Sequence, residues 1–259
     1  MSLENMFSLS GKTALIAGAS RGIGLAITKA VAAAGAKTIM AARSMDALEK
    51  ETAALCEAGH DARPLYLDVT STESVRAAAD AGGDIDILIN VAGTTKRKRF
   101  EQYTEEEYNR IMQTNLHGLV LLTQKVGARR IARQRGGKVV NIGSVTSLFG
   151  LPCTSVYTMT KSALAGLTST LAVEWAKGDI QVNCIVSGFI LTQLNRKMWE
   201  PSEMHEWLRL SQGNPRLGTP KDIAGLAVLL CGPSTDYVTG QLMASDGGYT
   251  NGSNWPLEA

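Results

Sequence analysis

The sequence is poor in the residues that hold metals and disulfides. No two of its four cysteines, Cys56, Cys153, Cys184 and Cys231, stand at CxxC or other ligand spacing, which points to reduced thiols in a cytoplasmic protein. Its three histidines form no ligand pattern, so no metal centre is expected. Charge of one sign is missing too: a net +2 over 259 residues gives no field that would favour nucleic acid or a membrane surface. No apolar run approaches the roughly 18 residues of a spanning helix. The opening residues, Met1-Ser2-Leu3-Glu4-Asn5-Met6, lack the basic region and apolar stretch of a secretion signal. There is no linker, repeat or low-complexity segment. What is present is apolar residue in quantity, 44% of the chain, enough for a sizeable core.

Those apolar residues come in short continuous runs that alternate with amphipathic ones. Strands are predicted at 12–17, 37–42, 63–67, 85–91, 138–142, 180–186 and 241–244. Helices are predicted between them at 23–34, 45–58, 73–79, 105–132, 157–177 and 221–230. Continuous apolar strands are the mark of a parallel sheet covered on both faces. The pattern predicts one doubly wound, Rossmann-type α/β domain over residues 1–259. The stretch 192–220, with Trp199, Pro201, Trp207 and Pro215, breaks the rhythm and is expected to be a lid over a substrate.

Gly18-Ala19-Ser20-Arg21-Gly22-Ile23-Gly24 joins the first strand to the first helix. Glycines there let the backbone turn and approach a pyrophosphate seated on the positive end of the helix. The spacing is GxxxGxG. At the tip of the second strand, Ala41-Ala42-Arg43-Ser44 holds no carboxylate for the ribose hydroxyls of NAD. Arg43, with Arg21 from the loop, offers planar forks for a 2′-phosphate, so NADP(H) is expected over NAD(H), with NAD(H) tolerated. Asp68 and Val69 follow the third strand where adenine would lie, and Asn90-Val91-Ala92-Gly93 closes the fourth beneath the same crevice.

Tyr157-Thr158-Met159-Thr160-Lys161 sets a phenol and an ammonium on one helix face at i and i+4. A phenol titrates near pH 10 in water. A nearby cation stabilises the phenolate and is expected to lower that by about 1–3 units, giving an acid–base group. Ser144 ends the fifth strand, where doubly wound folds bind ligands, and its hydroxyl can stabilise charge on a substrate oxygen. A YxxxK pair alone is usually a helix-surface pair. Ser144 upstream on a strand tip makes it a candidate active site.

On these residues the chain resembles the short-chain dehydrogenase/reductase family over essentially its whole length. The Gly-rich motif matches at Gly18, Gly22 and Gly24, the Asn-Asn-Ala-Gly motif at Asn90, Ala92 and Gly93, and the catalytic set at Asn115, Ser144, Tyr157 and Lys161. The resemblance implies that Lys161 also binds the nicotinamide ribose, and that Asn115 sits at a helix break and holds a water in a proton relay. It further implies adenine contacts at Asp68 and Val69, and nicotinamide contacts at Gly188, Ile190 and Thr192. A homotetramer joined through the long helices is likewise implied. Three positions depart from the pattern. Val91 replaces an Asn that mainly supports its strand. Ser187-Gly188 replaces a Pro-Gly, leaving that loop without a preset φ. The segment 76–85 is short.

After Gly93 comes the basic run Thr94-Thr95-Lys96-Arg97-Lys98-Arg99. It is read either as a solvated loop or as an attractor of an anionic ketone or alcohol, and its residue order resembles sugar-acid dehydrogenases of the gluconate and deoxygluconate type. A second basic group, Arg129, Arg130, Arg133 and Arg135, ends the long helix. It offsets the helix dipole, or docks an acidic carrier protein as a 3-oxoacyl-carrier-protein reductase would require. The lid tryptophans either pack on the body or border a bulky apolar ketone. A non-catalytic NADP-binding protein on the same fold is the reading of another class.

Overall fold

The computed structural model describes residues 3–252. The reading of 1–259 as one domain also covers 1–2 and 253–259, which lie outside the described residues. After a short α1 (Leu3–Phe7), strands and helices alternate: β1 (Thr13–Ala17), α2 (Gly22–Ala33), β2 (Lys37–Ala42), α3 (Met45–Glu57), β3 (Ala62–Tyr66), α4 (Thr72–Ala81) and β4 (Ile87–Asn90). The second half runs α5 (Glu105–Met112), α6 (Gly118–Ala132), β5 (Gly137–Ser144), α7 (Ser155–Glu174), β6 (Ile180–Ser187), α8 (Ser202–Ser211), α9 (Pro220–Cys231) and β7 (Leu242–Ser245). All seven strands lie parallel in one sheet, in the order β3-β2-β1-β4-β5-β6-β7.

The apolar runs explain the layers. Neighbouring residues of a strand face opposite ways, so Leu15 and Ile16, Leu88 and Ile89, and Val139 and Val140 split between two cores. One core closes under α2, α3 and α9 through Ile27, Leu48 and Ile223. The other closes under α4, α6 and α7 through Val75, Leu122 and Leu164. Helix starts follow local chemistry. Thr104 and Glu107 form a reciprocal capping box ahead of α5, and Thr219 and Asp222 form another ahead of α9, which carries Pro220 in its first turn.

Two elements differ from the sequence expectation. The helix predicted at 105–132 is interrupted by a π-turn at Gln113–His117, which shifts the face that α6 presents. The irregular stretch at 192–220 contains a 3-10 turn at Arg196–Trp199 and the ten-residue α8. The basic group at the end of α6 is also resolved. Arg130 is buried and pairs with Asp84 and Asp86 at 3.0 Å, Arg133 and Arg135 reach Asp84 at 2.9 and 3.0 Å, and Arg129 pairs with Asp80. Arg130 ties α6 to the start of β4 from inside the fold, while Arg129, Arg133 and Arg135 make their ion pairs at the surface.

Candidate active site

Strand order reverses between β1 and β4, and a crevice of about 260 Å³ opens at their C-terminal ends. The Gly loop forms its floor. Gly18 has φ +99°, and a Cβ there would stand 2.7 Å from the Ala92 backbone nitrogen, so only glycine fits. Arg21 is the N-cap of α2 with extended backbone and gives no side-chain cap, which leaves the first-turn N–H groups without a side-chain partner. Ser20, Arg21, Gly22, Ile23 and Gly24 line the crevice beside Gly18. Arg43, Val69, Ala92, Gly93, Tyr157, Lys161 and Thr192 line it as well, so most of the predicted residues meet in one place. Ser44, Gln193 and Leu194 join them, and the sequence reading did not single these out.

Four predicted cofactor contacts sit outside that lining, as do Asn115 and Ser144 of the catalytic set. Asp68 accepts from the Thr70 backbone and hydroxyl at 2.9 and 2.8 Å. Burial raises its carboxyl, but those bonds and nearby Arg43 outweigh it and hold the group below the usual carboxylate value. Asn90 is buried, and its Nδ2 donates at 2.8 Å both to Thr123 Oγ1 and to Asn141 Oδ1, its register partner on β5. Asn141 continues the chain to Thr168 at 2.9 Å, so this polar thread links β4 and β5 to α6 and α7 beneath the crevice. Gly188 donates its N–H to the Ser245 carbonyl at 3.0 Å. Ile190 is buried in the apolar core and bridges to Gly218.

The reacting groups converge at the tip of β5. Lys161 Nζ donates to the Ile142 carbonyl at 2.7 Å and lies 5.7 Å from the centre of the Tyr157 ring. Burial depresses the Lys161 ammonium to about 8. The expectation that Lys161 lowers the phenol is corrected here. Burial pushes Tyr157 up, and the groups that oppose it are the Ser144 hydroxyl, by hydrogen bond, and the Arg97 charge. The physical reason is that the Lys161 ammonium is turned onto a backbone carbonyl and is itself destabilised by burial. Ser144 Oγ also accepts from the Thr146 N–H at 3.2 Å.

Asn115 sits in the π-turn, wholly buried. Its Oδ1 accepts from the Thr94 N–H at 2.7 Å, and its Nδ2 donates to the Thr94 carbonyl at 2.8 Å and to Thr160 Oγ1 at 3.3 Å. The loop it holds carries the basic run. Lys98 pairs with Glu107 at 2.7 Å, Lys96 stands 3.7 Å from the same carboxylate, and the Lys98 N–H donates to the Cys153 carbonyl at 3.1 Å. The Tyr103 hydroxyl pins the Lys96 carbonyl. Arg97 forms no ion pair among the described residues, and its charge acts on the Tyr157 phenol.

Behind this mouth the segment 192–220 packs on aromatic rings. Phe189, just after β6, lies 5.6 Å from Trp199, 5.2 Å from Trp207 and 4.8 Å from Tyr249 between ring centres, and Tyr249 lies 5.4 Å from Phe149. Trp199 is buried within it and packs against the body, while Trp207 touches Phe189 and stays exposed.

Comparison with known proteins follows this geometry. A family model described as enoyl-(acyl carrier protein) reductase matches residues 18–250. The chain is 37% identical over 250 residues to the 2-dehydro-3-deoxy-D-gluconate 5-dehydrogenase of Bacillus subtilis, covering 95% of this chain and 98% of that protein. It is 34% identical over 245 residues to a 3-oxoacyl-(acyl-carrier-protein) reductase of Vibrio cholerae, covering 93% and 98%. A solved gluconate 5-dehydrogenase from Burkholderia cenocepacia, in complex with NADP and tartrate, superposes with a TM-score of 0.93 at 32% identity, covering 97% of this chain and all of the other.

Proposed function

The chain belongs to the short-chain dehydrogenase/reductase family and is an oxidoreductase of the CH–OH group, and on that premise we propose that it interconverts a keto acid of the sugar-acid class and its alcohol with NADP(H). The observation that carries the substrate class is Arg97. Of Lys96, Arg97 and Lys98, the two lysines share the single charge of Glu107, while Arg97 forms no ion pair among the described residues and acts on the Tyr157 phenol. A guanidinium there can fork onto a carboxylate while the phenol meets the carbonyl. The relatives are named for gluconate-type acids, and the hydroxy acid tartrate in the Burkholderia complex fits the same chemistry.

The cradle fits the cofactor. The close approach at Gly18, the open N–H groups of α2 and the two arginines 21 and 43 suit a pyrophosphate and a 2′-phosphate. Val69, with Asp68 behind it, would flank adenine. Thr192, held by Asn195 at 2.8 Å through its N–H, would meet the carboxamide, with Gly188 and Ile190 shaping that loop from below. When bound, NADPH supplies the hydride. Tyr157, kept protonated by burial, gives its phenolic proton to the substrate oxygen, and Ser144 steadies the charge that develops there. Lys161, held on the Ile142 carbonyl, anchors the ribose. The Asn115 side chain is committed to Thr94 and Thr160, so its part in the relay runs through the backbone of the π-turn. The segment 192–220 is the lid of this single domain. Free thiols at Cys56 and Cys153 suit a reducing cytoplasm, and the family relation supports a homotetramer through α6 and α7. No described helix is long and apolar enough to cross a membrane.

The test follows NADPH absorbance with keto-sugar acids, neutral keto sugars and an acetoacetyl thioester. Arg97→Ala is expected to raise KM for the keto acid roughly tenfold to a hundredfold, the loss of one charge-assisted contact, and to leave a neutral ketone nearly unchanged. Tyr157→Phe is expected to abolish turnover with NADPH affinity retained. Equal losses on acid and neutral ketone in Arg97→Ala would remove the substrate reading, and preference for the thioester would favour a carrier-protein reductase. If no ketone consumes NADPH while the cofactor binds, a non-catalytic binding protein is left.

A further inference from the structure

The Asn115 amide holds the basic loop by two hydrogen bonds, and its third contact is to a residue that the acid–base scheme leaves unused. Thr160 is fully buried and lies on α7 between Tyr157 and Lys161. Its Oγ1 donates its one proton to the Tyr157 carbonyl at 2.7 Å. The oxygen can then only accept, and the group facing it at 3.3 Å is Asn115 Nδ2. An amide has one donor end and one acceptor end. A hydroxyl that can only accept therefore takes the same amide end that the Thr94 N–H and carbonyl select, and ties that amide to α7.

We propose that Thr160 is a positioning residue: its hydroxyl tethers the Asn115 amide to α7 and thereby holds the 94–99 loop in place relative to the Tyr157 phenol. Three elements meet through these contacts. The π-turn supplies Asn115, the loop after β4 supplies Thr94 and carries Arg97 three residues on, and α7 supplies Thr160 with the reacting pair. The π-turn is what brings Asn115 to this junction, since the interruption at Gln113–His117 shifts the helix face that points at α7. With a methyl in place of the hydroxyl, the Nδ2 group loses that acceptor in a buried site. The amide keeps its sense, because the Thr94 N–H and carbonyl still select it, but it loses its tie to α7. Both contacts to Thr94 would then be held from the π-turn alone. The loop would loosen while the cofactor crevice, built from other residues, stayed intact.

Thr160→Val keeps the shape and removes the hydroxyl, and Thr160→Ser restores it. Amide hydrogen exchange on the whole protein reads the coupling without any substrate. The Thr94 amide and its loop are expected to exchange about tenfold faster in Thr160→Val, the order of one hydrogen bond, with Thr160→Ser like the wild type. The activity arm rests on the keto-acid reading above. There Thr160→Val is expected to lower kcat/KM for the keto acid about tenfold, with NADPH affinity within about twofold. Protection of the loop unchanged in Thr160→Val, or Thr160→Ser exchanging as fast as Thr160→Val, would overturn the proposal. Should the wild type turn over no keto acid, the substrate reading fails and the exchange result still decides the role of Thr160.

Discussion

Lys161 is held in a place that works against its charge. It is almost wholly buried, and its ammonium, depressed to about 8, has the Ile142 carbonyl as partner. Burial lowers a cationic group's pKa and raises a phenol's, so below pH 8 the pair rests as ammonium and neutral phenol. That state suits carbonyl reduction, in which the phenol must give up a proton. As pH rises through about 8, Lys161 loses its charge, and with it the cationic donor that would hold the ribose. The pH profile of kcat/KM for reduction is therefore expected to fall above about 8, and Lys161→Arg, which cannot deprotonate, is expected to move that limb upward. A profile flat to roughly pH 10 would rule this out. Tyr157 and Lys161 were legible in the sequence because i and i+4 share a helix face. The direction of the phenol's shift was not, since it depends on Ile142, Ser144 and Arg97, which come from other elements. Thr160 was equally hidden, because helical threonines ordinarily bond back to their own backbone.

At the scale of elements, the π-turn and the start of α6 are set by a close approach. Gly118 presses on Val69, and an added Cβ would collide with the Val69 carbonyl, which is backbone and cannot swing aside. Gly118→Ala is expected to destabilise the protein by about 1–3 kcal/mol or more, in the range of overpacked cores. Thermal denaturation should show it as a drop of roughly 2–4 °C per kcal/mol, and an unchanged Tm would show that the backbone yields freely. The strands and α2, α3 and α9 could be read from apolar periodicity and caps to within a residue or two. The break at Gln113–His117 was not visible in periodicity, because an inserted π-turn leaves residue types and their spacing looking like one continuous helix; only the family resemblance placed it, at Asn115. The helix α8 was hidden for another reason. Pro201 precedes it as N-cap, and prolines with tryptophans gave that stretch the composition of a loop. The arginines closing α6 were legible as a cluster, but their partners Asp80, Asp84 and Asp86 came together only on folding.

For the molecule as a whole, the reversal of strand order between β1 and β4 puts cofactor and reacting groups in one crevice between the two cores. A ligand that binds only the folded chain stabilises it, by about 2.7 kcal/mol at a hundred times Kd. NADPH is therefore expected to raise Tm by roughly 5–10 °C, and NADH at the same concentration by less. In Arg43→Ala the two cofactors should give equal shifts. A larger shift with NADH in the wild type would reverse the assigned preference.

The rings of Phe149, Phe189, Trp199, Trp207 and Tyr249 come from the ends of three strands and from the segment 192–220, and none of them handles a proton or a hydride. A lineage can therefore exchange these rings one at a time, recutting the entrance for another guest, while the reaction inside goes on undisturbed. Kinship of this chain with enzymes named for several different substrates is what such a division of labour would leave behind.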